Sequence, residues 1–334
     1  MTTTEIQTRI LNGFDDPSFS PEQWNTLLQQ GGTRTVNLTP EWQRGWWDTF
    51  GQGRLLLTVA ECEGHPTALG PLFSNGGMIF NICPEDGLDF IGNISEPGVL
   101  DALLQTARQQ VPDFAGFRFY FIPDHSPTGR HLQSAAARLG LECFDEGALP
   151  SPWIDLAGQP AHALACTRKK SLLRHERHLA RHGTLTVEHL RTAAEIEPHL
   201  DAFFAQHRAR RAATPHPSLF ESADQQAYYR SITTRIGPRN WLRFTRIVWN
   251  DQPAAFHFGL CHEGRFLWGI PSFDIQLAHL SPGEVLLRQT LLAAIEEGAA
   301  LFDFGVGAEP YKDRFATHAT QLRTWGLYPK GGTP

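Results

Sequence analysis

Apolar positions spaced three and four apart, Leu287, Leu291, Leu292 and Ile295, predict a helix beginning near residue 282. Ser281-Pro282-Gly283-Glu284 predicts its start. Serine is expected as the N-cap, proline at the first helical position, and glutamate three residues after the serine as the closing half of a capping box. Gly298 predicts its stop. The next residues, Leu301-Phe302-Asp303-Phe304-Gly305, alternate apolar with small or polar side chains and predict a strand. Residues 265–316 therefore read as strand, loop, helix, strand and a short loop holding Glu309, Tyr311 and Lys312. A helix start fed by one strand and leading into another is suited to bind phosphates. In the first half, Trp42, Trp46 and Phe50 at i, i+4 and i+8 predict an amphipathic helix.

The same pattern occurs twice. Thr58 falls against Thr245, Pro66 against Pro253 and Gly77 against Gly264, each 187 positions apart (245 − 58, 253 − 66, 264 − 77). Further on, Pro97-Gly98 matches Pro282-Gly283, Gln105-Thr106 matches Gln289-Thr290, and Phe117-Arg118-Phe119 matches Phe302-Asp303-Phe304. Offsets that drift by two or three residues are those of a duplicated fold with altered loops. Each copy reads as helix, hairpin-joined strands, helix, strand, helix, strand. The crossover at the Pro-Gly helix requires a mixed sheet. The boundary is expected at Leu149-Pro150-Ser151-Pro152, where two prolines interrupt regular structure, giving domains 1–152 and 153–334.

Composition narrows the function classes. The 334 residues are 41% hydrophobic and 19% charged, with a net charge of −6, so no global field favours DNA or an anionic membrane. No run approaches the roughly 18 apolar residues of a membrane helix, and the first residues lack the apolar core of a secretory signal. Five scattered cysteines without a CxxC pair point to reduced thiols in the cytoplasm, neither a disulfide framework nor a zinc site. His175-Glu176-Arg177-His178 places its histidines three apart where a metalloprotease helix needs four, and no metal is expected. Asp303-Phe304-Gly305 lacks every companion motif of a kinase.

Phe273-Asp274, Ser281-Pro282-Gly283, Leu286-Leu287, Phe302-Asp303 and Tyr311-Lys312 stand in the order seen in GNAT-type acyltransferases. Arg168-Lys169-Lys170-Ser171-Leu172-Leu173-Arg174, Leu179 and Gly183 match a basic helix of that group, and His207 and Arg211 its next helix. The chain thus resembles tandem GNAT proteins of the CelD and BioF2-like type, relatives of the Fem peptidyltransferases. The likeness covers roughly residues 150–328 directly and the first half through the repeat. It implies an α/β (α+β) fold of two tandem GNAT-like domains, each a mixed, mostly antiparallel sheet flanked by helices. Because the first half lacks a counterpart of Glu309-Pro310-Tyr311-Lys312, it would be a non-catalytic wall of the acceptor cleft and the second domain catalytic. It further implies acetyl-CoA or another acyl-CoA as co-substrate. The pantetheine arm would lie along Ile270, Pro271, Ser272 and Phe273, and the phosphates near Ser281, Gly283 and Val285. The usual Gly-rich phosphate loop is reduced here to one glycine, with Glu284 in the first turn. Fem relatives take aminoacyl-tRNA and need no such loop, so both donors stay open.

Acyl transfer to an amine needs a neutral amine, a polarised carbonyl and a protonated leaving group. Glu309 is the candidate base, against a plain solvated glutamate. Tyr311 is the candidate acid, against a rim aromatic. Lys312 suits a phosphate or the acceptor, against a surface lysine. Asp303, between two phenylalanines, calls for a partner, either a structural arginine or catalysis. His257 reads as a hydrogen-bonded strand histidine or an acceptor contact. His207, Arg208, Arg210 and Arg211, with Asp274, are placed at an acceptor site suited to a carboxylate or phosphate. The six basic residues of 168–181 read as a solvated helix face, or as an RNA contact. The expected function is N-acyl, in particular N-acetyl, transfer from acyl-CoA to a small-molecule amine. The alternatives are a Fem-like aminoacyl-tRNA-dependent transferase, the one case with a tRNA partner, and a non-catalytic GNAT-like binding protein. A membrane partner is not expected, and monomer and dimer stay open.

Overall fold

The computed structural model describes residues 5–83 and 85–331. It divides into two compact units. One takes the chain up to Ser151 and again from Thr320; the other is Pro152–Ala319. The elements up to the boundary are β1 (Ile6–Ile10), α1 (Pro21–Gln30), α2 (Pro40–Phe50), β2 (Arg54–Cys62), β3 (His65–Asn75), β4 (Met78–Asn81), β5 (Ile91–Gly92), α3 (Val99–Gln109), β6 (Gly116–Pro123), α4 (Thr128–Arg138) and β7 (Leu141–Asp155). Then follow α5 (Pro160–Thr167), α6 (Lys170–His182), β8 (Leu185–Leu190), α7 (Ala193–Ile196), α8 (Leu200–Arg211), α9 (Ala223–Ile236), β9 (Leu242–Trp249), β10 (Gln252–His262), β11 (Arg265–Phe273), α10 (Pro282–Glu296), β12 (Leu301–Asp303) and β13 (His318–Pro329).

In the first unit β1, β2, β3 and β4 pair antiparallel in that order, and β4 then pairs parallel with β6. In the second, β8, β9, β10 and β11 do the same, and β11 pairs parallel with β12. The repeat read from the sequence is thus a repeat of strand pairing. Its four hairpins share one device: Glu63-Gly64, Gly76-Gly77, Asn250-Asp251 and Glu263-Gly264 all have positive φ at both residues. Such turns carry the twist that tight hairpins require, and glycine or asparagine adopts them at least cost. Each unit has its own core. Leu56, Leu72, Leu103, Phe117 and Phe119 lie in the first; Ile247, Phe266, Val285, Leu291 and Phe302 lie in the second.

Several expectations are corrected. Pro150 and Pro152 do not interrupt regular structure, because β7 runs through both; proline removes only its own N–H and its φ is compatible with extended chain. The residues from Thr320 onward, expected with the second domain, fall in the first unit, where β13 pairs with β6 from Leu322 to Leu327. The capping box at Ser281 does not form. Ser281 is left-handed (φ 56°) where an N-cap is extended, and it makes no side-chain cap. Glu284 pairs instead with Arg314 at 3.0 Å. The Pro-Gly pairs also differ in register: Gly98 is itself the N-cap of α3, whereas Pro282 and Gly283 are the first two residues of α10.

Candidate functional site

β11 and β12 are in register over only three residues, Arg265–Leu267 against Leu301–Asp303. β12 stops because Asp303 accepts the Gly305 amide at 3.0 Å and Gly305 turns with φ 71°. β11 continues to Phe273, paired with β10 on one edge and, among the described residues, with no strand on the other. A cavity of about 280 Å³ opens there. Trp268, Pro271, Ser272 and Phe273 of β11 form one wall. Ser281, Gly283, Glu284 and Leu287 at the start of α10 form another, and Ala278 is at its exposed rim. Arg210 at the end of α8 and Tyr311 from the loop after β12 complete it.

Tyr311 is half-buried and its hydroxyl accepts the Trp268 indole N–H at 3.1 Å. Burial pushes its pKa up to about 12. Its oxygen thus already holds a donor while its own proton stays in place. Glu309 is outside the cavity lining and 57% exposed, ion-paired with Lys312 at 2.8 Å. Burial opposes its ionisation, but the Lys312 hydrogen bond and the charges of Lys312 and Arg211 outweigh it and hold the carboxyl below its usual range.

Lys312 is neither a surface lysine nor free to hold a ligand. It is 2% exposed, and its ammonium donates to the carbonyls of Gly305, Val306 and Gly307 at 3.0, 2.9 and 3.4 Å. With Glu309 as its counter-ion it straps the loop after β12. Asp303 is also buried, held by Arg265 at 2.6 Å and by the Gly305 amide, so that carboxylate shapes the same turn.

The start of α10 offers fewer amides than a phosphate loop. Pro282 has none, and Glu284 and Val285 both donate to the Ser281 carbonyl, which leaves the amide of Gly283. The Val285 side chain is core. A Cβ on Gly283 would stand 3.1 Å from the Phe273 ring, so the small residue lets the helix start approach β11. Ile270 is half-buried on the free stretch of β11.

The expected acceptor residues do not all meet. His207 is buried and bonded to Ser218 Oγ at 2.7 Å; burial and then the charges of Arg211 and Arg210 lower its pKa to about 4. Asp274 accepts the Gln276 amide and caps a short 3₁₀ turn. His257 is wholly buried, stacked on Trp268 with ring centroids 4.6 Å apart, and burial lowers its pKa to about 3. Trp268, missed by the sequence reading, connects this stack to Tyr311. Its signal was present, since Phe266 and Trp268 alternate along a strand. The exposed side chains of α6, Arg174, Arg177 and Arg181 among them, form the solvated face expected, with Leu172 and Leu179 buried.

Residues 167–313 match the acetyltransferase (GNAT) domain family, and the chain has a GNAT/Fem-like fold. Among solved structures it is similar to FemX, with 9% identity over 92% of this chain and 96% of that one and a TM-score of 0.65. A tandem GNAT protein from the clavulanic acid biosynthesis pathway is 16% identical over 98% and 100%, with a TM-score of 0.56. The C-terminal domain of a putative lysylphosphatidylglycerol synthetase from Agrobacterium fabrum is 16% identical over 93% and 91%, with a TM-score of 0.58. No curated protein matches the sequence. The GNAT domain and fold support an acyltransferase in general. Among the described residues, no helix is long and apolar enough to cross a membrane, and no cluster of three or more His, Cys, Asp or Glu is placed to hold a metal.

Proposed function

We propose that the second unit catalyses N-acyl transfer, with acetyl the simplest group, from acyl-CoA to the amine of a small molecule in the cytoplasm. The free edge of β11 beside the cavity carries this reading. An unpaired strand edge presents amide and carbonyl groups that need partners. The pantetheine arm has two amides and can add to that edge as an extra strand, the mode by which extended chains are held. A cavity of about 280 Å³ accommodates the reactive end of the arm, with the nucleotide outside. The amide of Gly283 at the start of α10 remains for a phosphate.

In the step, the amine nitrogen attacks the thioester carbonyl carbon, the C–S bond breaks, and the departing thiolate takes the Tyr311 proton. Tyr311 is suited to this because Trp268 fills its acceptor site and leaves its O–H free to donate. Glu309, held ionised, takes the ammonium proton through water. Asp303 and Lys312 act through the loop by positioning Tyr311. Tyr311→Phe is expected to lower kcat about 10²-fold with unchanged acetyl-CoA binding by calorimetry; full turnover by that variant sinks the assignment. The exposed basic face of α6 favours charged tRNA as a second donor reading. Retention of charged tRNA on filters, without CoA binding, would replace the first reading by that one.

A further inference from the structure

Arg210 lines the cavity. Its guanidinium lies over the Phe273 ring, 4.7 Å from the centroid, and Nη1 donates to the Pro271 carbonyl at 2.7 Å. These contacts fix its plane but leave its charge in place. Among the described residues no carboxylate pairs with it. The largest charge effect on it is that of Arg211, of the same sign, and burial and then that charge lower its pKa. Glu284, the carboxylate in the lining, is tied to Arg314 through Oε1, while its Oε2 is buried without a hydrogen-bond partner. Tyr311, also in the lining, keeps its proton.

Two hydrogen-bond donors near Arg210 are also unsatisfied. Ser272 lines the same cavity, is wholly buried, and its hydroxyl has no hydrogen-bond partner. Arg211 has a buried Nε without an acceptor, and its charge reaches Tyr311 and Glu309. Buried donors of this kind are unfavourable unless something accepts from them. A guanidinium held flat by an aromatic ring presents its remaining N–H groups as a fork that fits a planar carboxylate. The remaining walls, Trp268, Phe273 and Leu287, are apolar and fit a short hydrocarbon segment.

We propose that this cavity takes a substrate bearing a carboxylate, seated against Arg210 and the Ser272 hydroxyl. This rests on the acyltransferase reading, and the carboxylate belongs either to the far end of the transferred acyl chain or to an amino-acid-like acceptor. Two arms with the full chain distinguish these. One pairs acetyl-CoA with amino acids and with their carboxamides. The other pairs succinyl-CoA and butyryl-CoA with an uncharged amine. In one arm the carboxylate is expected to raise kcat/KM at least about 10-fold over its neutral counterpart. Arg210→Gln is expected to bring the two substrates together, and Arg210→Lys to restore part of the difference. Equal rates in both arms, or a preference that survives Arg210→Gln, overturn the proposal. If no thioester is turned over, calorimetry with N-acetyl amino acids and their amides decides. Carboxylate-selective binding lost in Arg210→Gln upholds the carboxylate site while acyl transfer falls, and unselective binding rejects it.

Discussion

In the first unit β4 pairs with β6 over Met78–Phe80 and ends at Asn81; in the second β11 pairs with β12 over Arg265–Leu267 and runs on to Phe273. The residues at the point of divergence differ in what they bind. Asn81 bridges the strands in the first unit: its side-chain amide donates to the Tyr120 carbonyl at 2.9 Å, and its carbonyl accepts the Tyr120 amide at 3.1 Å. Trp268 stands 187 positions later (268 − 81), and its indole N–H goes to Tyr311 instead of to backbone. A short amide fits between two backbones and substitutes for a strand hydrogen bond. The Trp268 ring instead stacks on His257 and lies against Phe302. One pairing scheme thus gives a closed sheet in one copy and a lined cavity in the other.

The largest expected effect fills that cavity. Ala278→Trp places a ring at the exposed rim and is expected to weaken acetyl-CoA binding about 100-fold or more, worth about 2.7 kcal/mol, in a calorimetric titration. Unchanged affinity would separate the cavity from the donor site.

The two copies are also expected to respond oppositely to acid. In the second unit His207 and His257 are held neutral, with pKa values of about 4 and about 3, below the ordinary 6.5. Between those values the unfolded chain binds the protons, so their stabilisation is present above 6.5 and lost as pH falls, at most about 3 kcal/mol for His207. In the first unit burial raises Glu85 to about 7, from an ordinary 4.5, and also raises Asp89. A raised acid stabilises below its unfolded pKa, and that contribution is lost as pH rises through the folded one. Between pH 7 and 4, hydrogen-exchange protection, corrected for intrinsic rates, should rise in the first unit and fall in the second. A shift of both in one direction contradicts the assignment.

The smallest effect tests the closure itself. Asn81→Ala leaves the Tyr120 amide and carbonyl without these partners and should lower stability by about 1–3 kcal/mol in chemical denaturation, with acyl-CoA binding unaffected. A loss of binding would tie the first unit's closed strands to function.

Part of the site was legible in residue order alone. Spacing located α10 and the strand after it, and the matched motif reached Tyr311. The Asp303 pairing with Arg265 answered a question the sequence already posed, since a carboxylate between phenylalanines needs a partner. Ser281 misled because its identity suits an N-cap while the chain enters α10 through a left-handed residue. Lys312 misled because its burial depends on where three loop carbonyls point, which no local pattern encodes.

The sequence by itself determined the duplicated order of strands and helices, because hairpin turns and helical spacing are local and recur 187 residues apart. Only tertiary structure decided which copy opens. That choice depends on how far two non-adjacent strands stay paired, and on an asparagine or a tryptophan meeting residues distant in the chain.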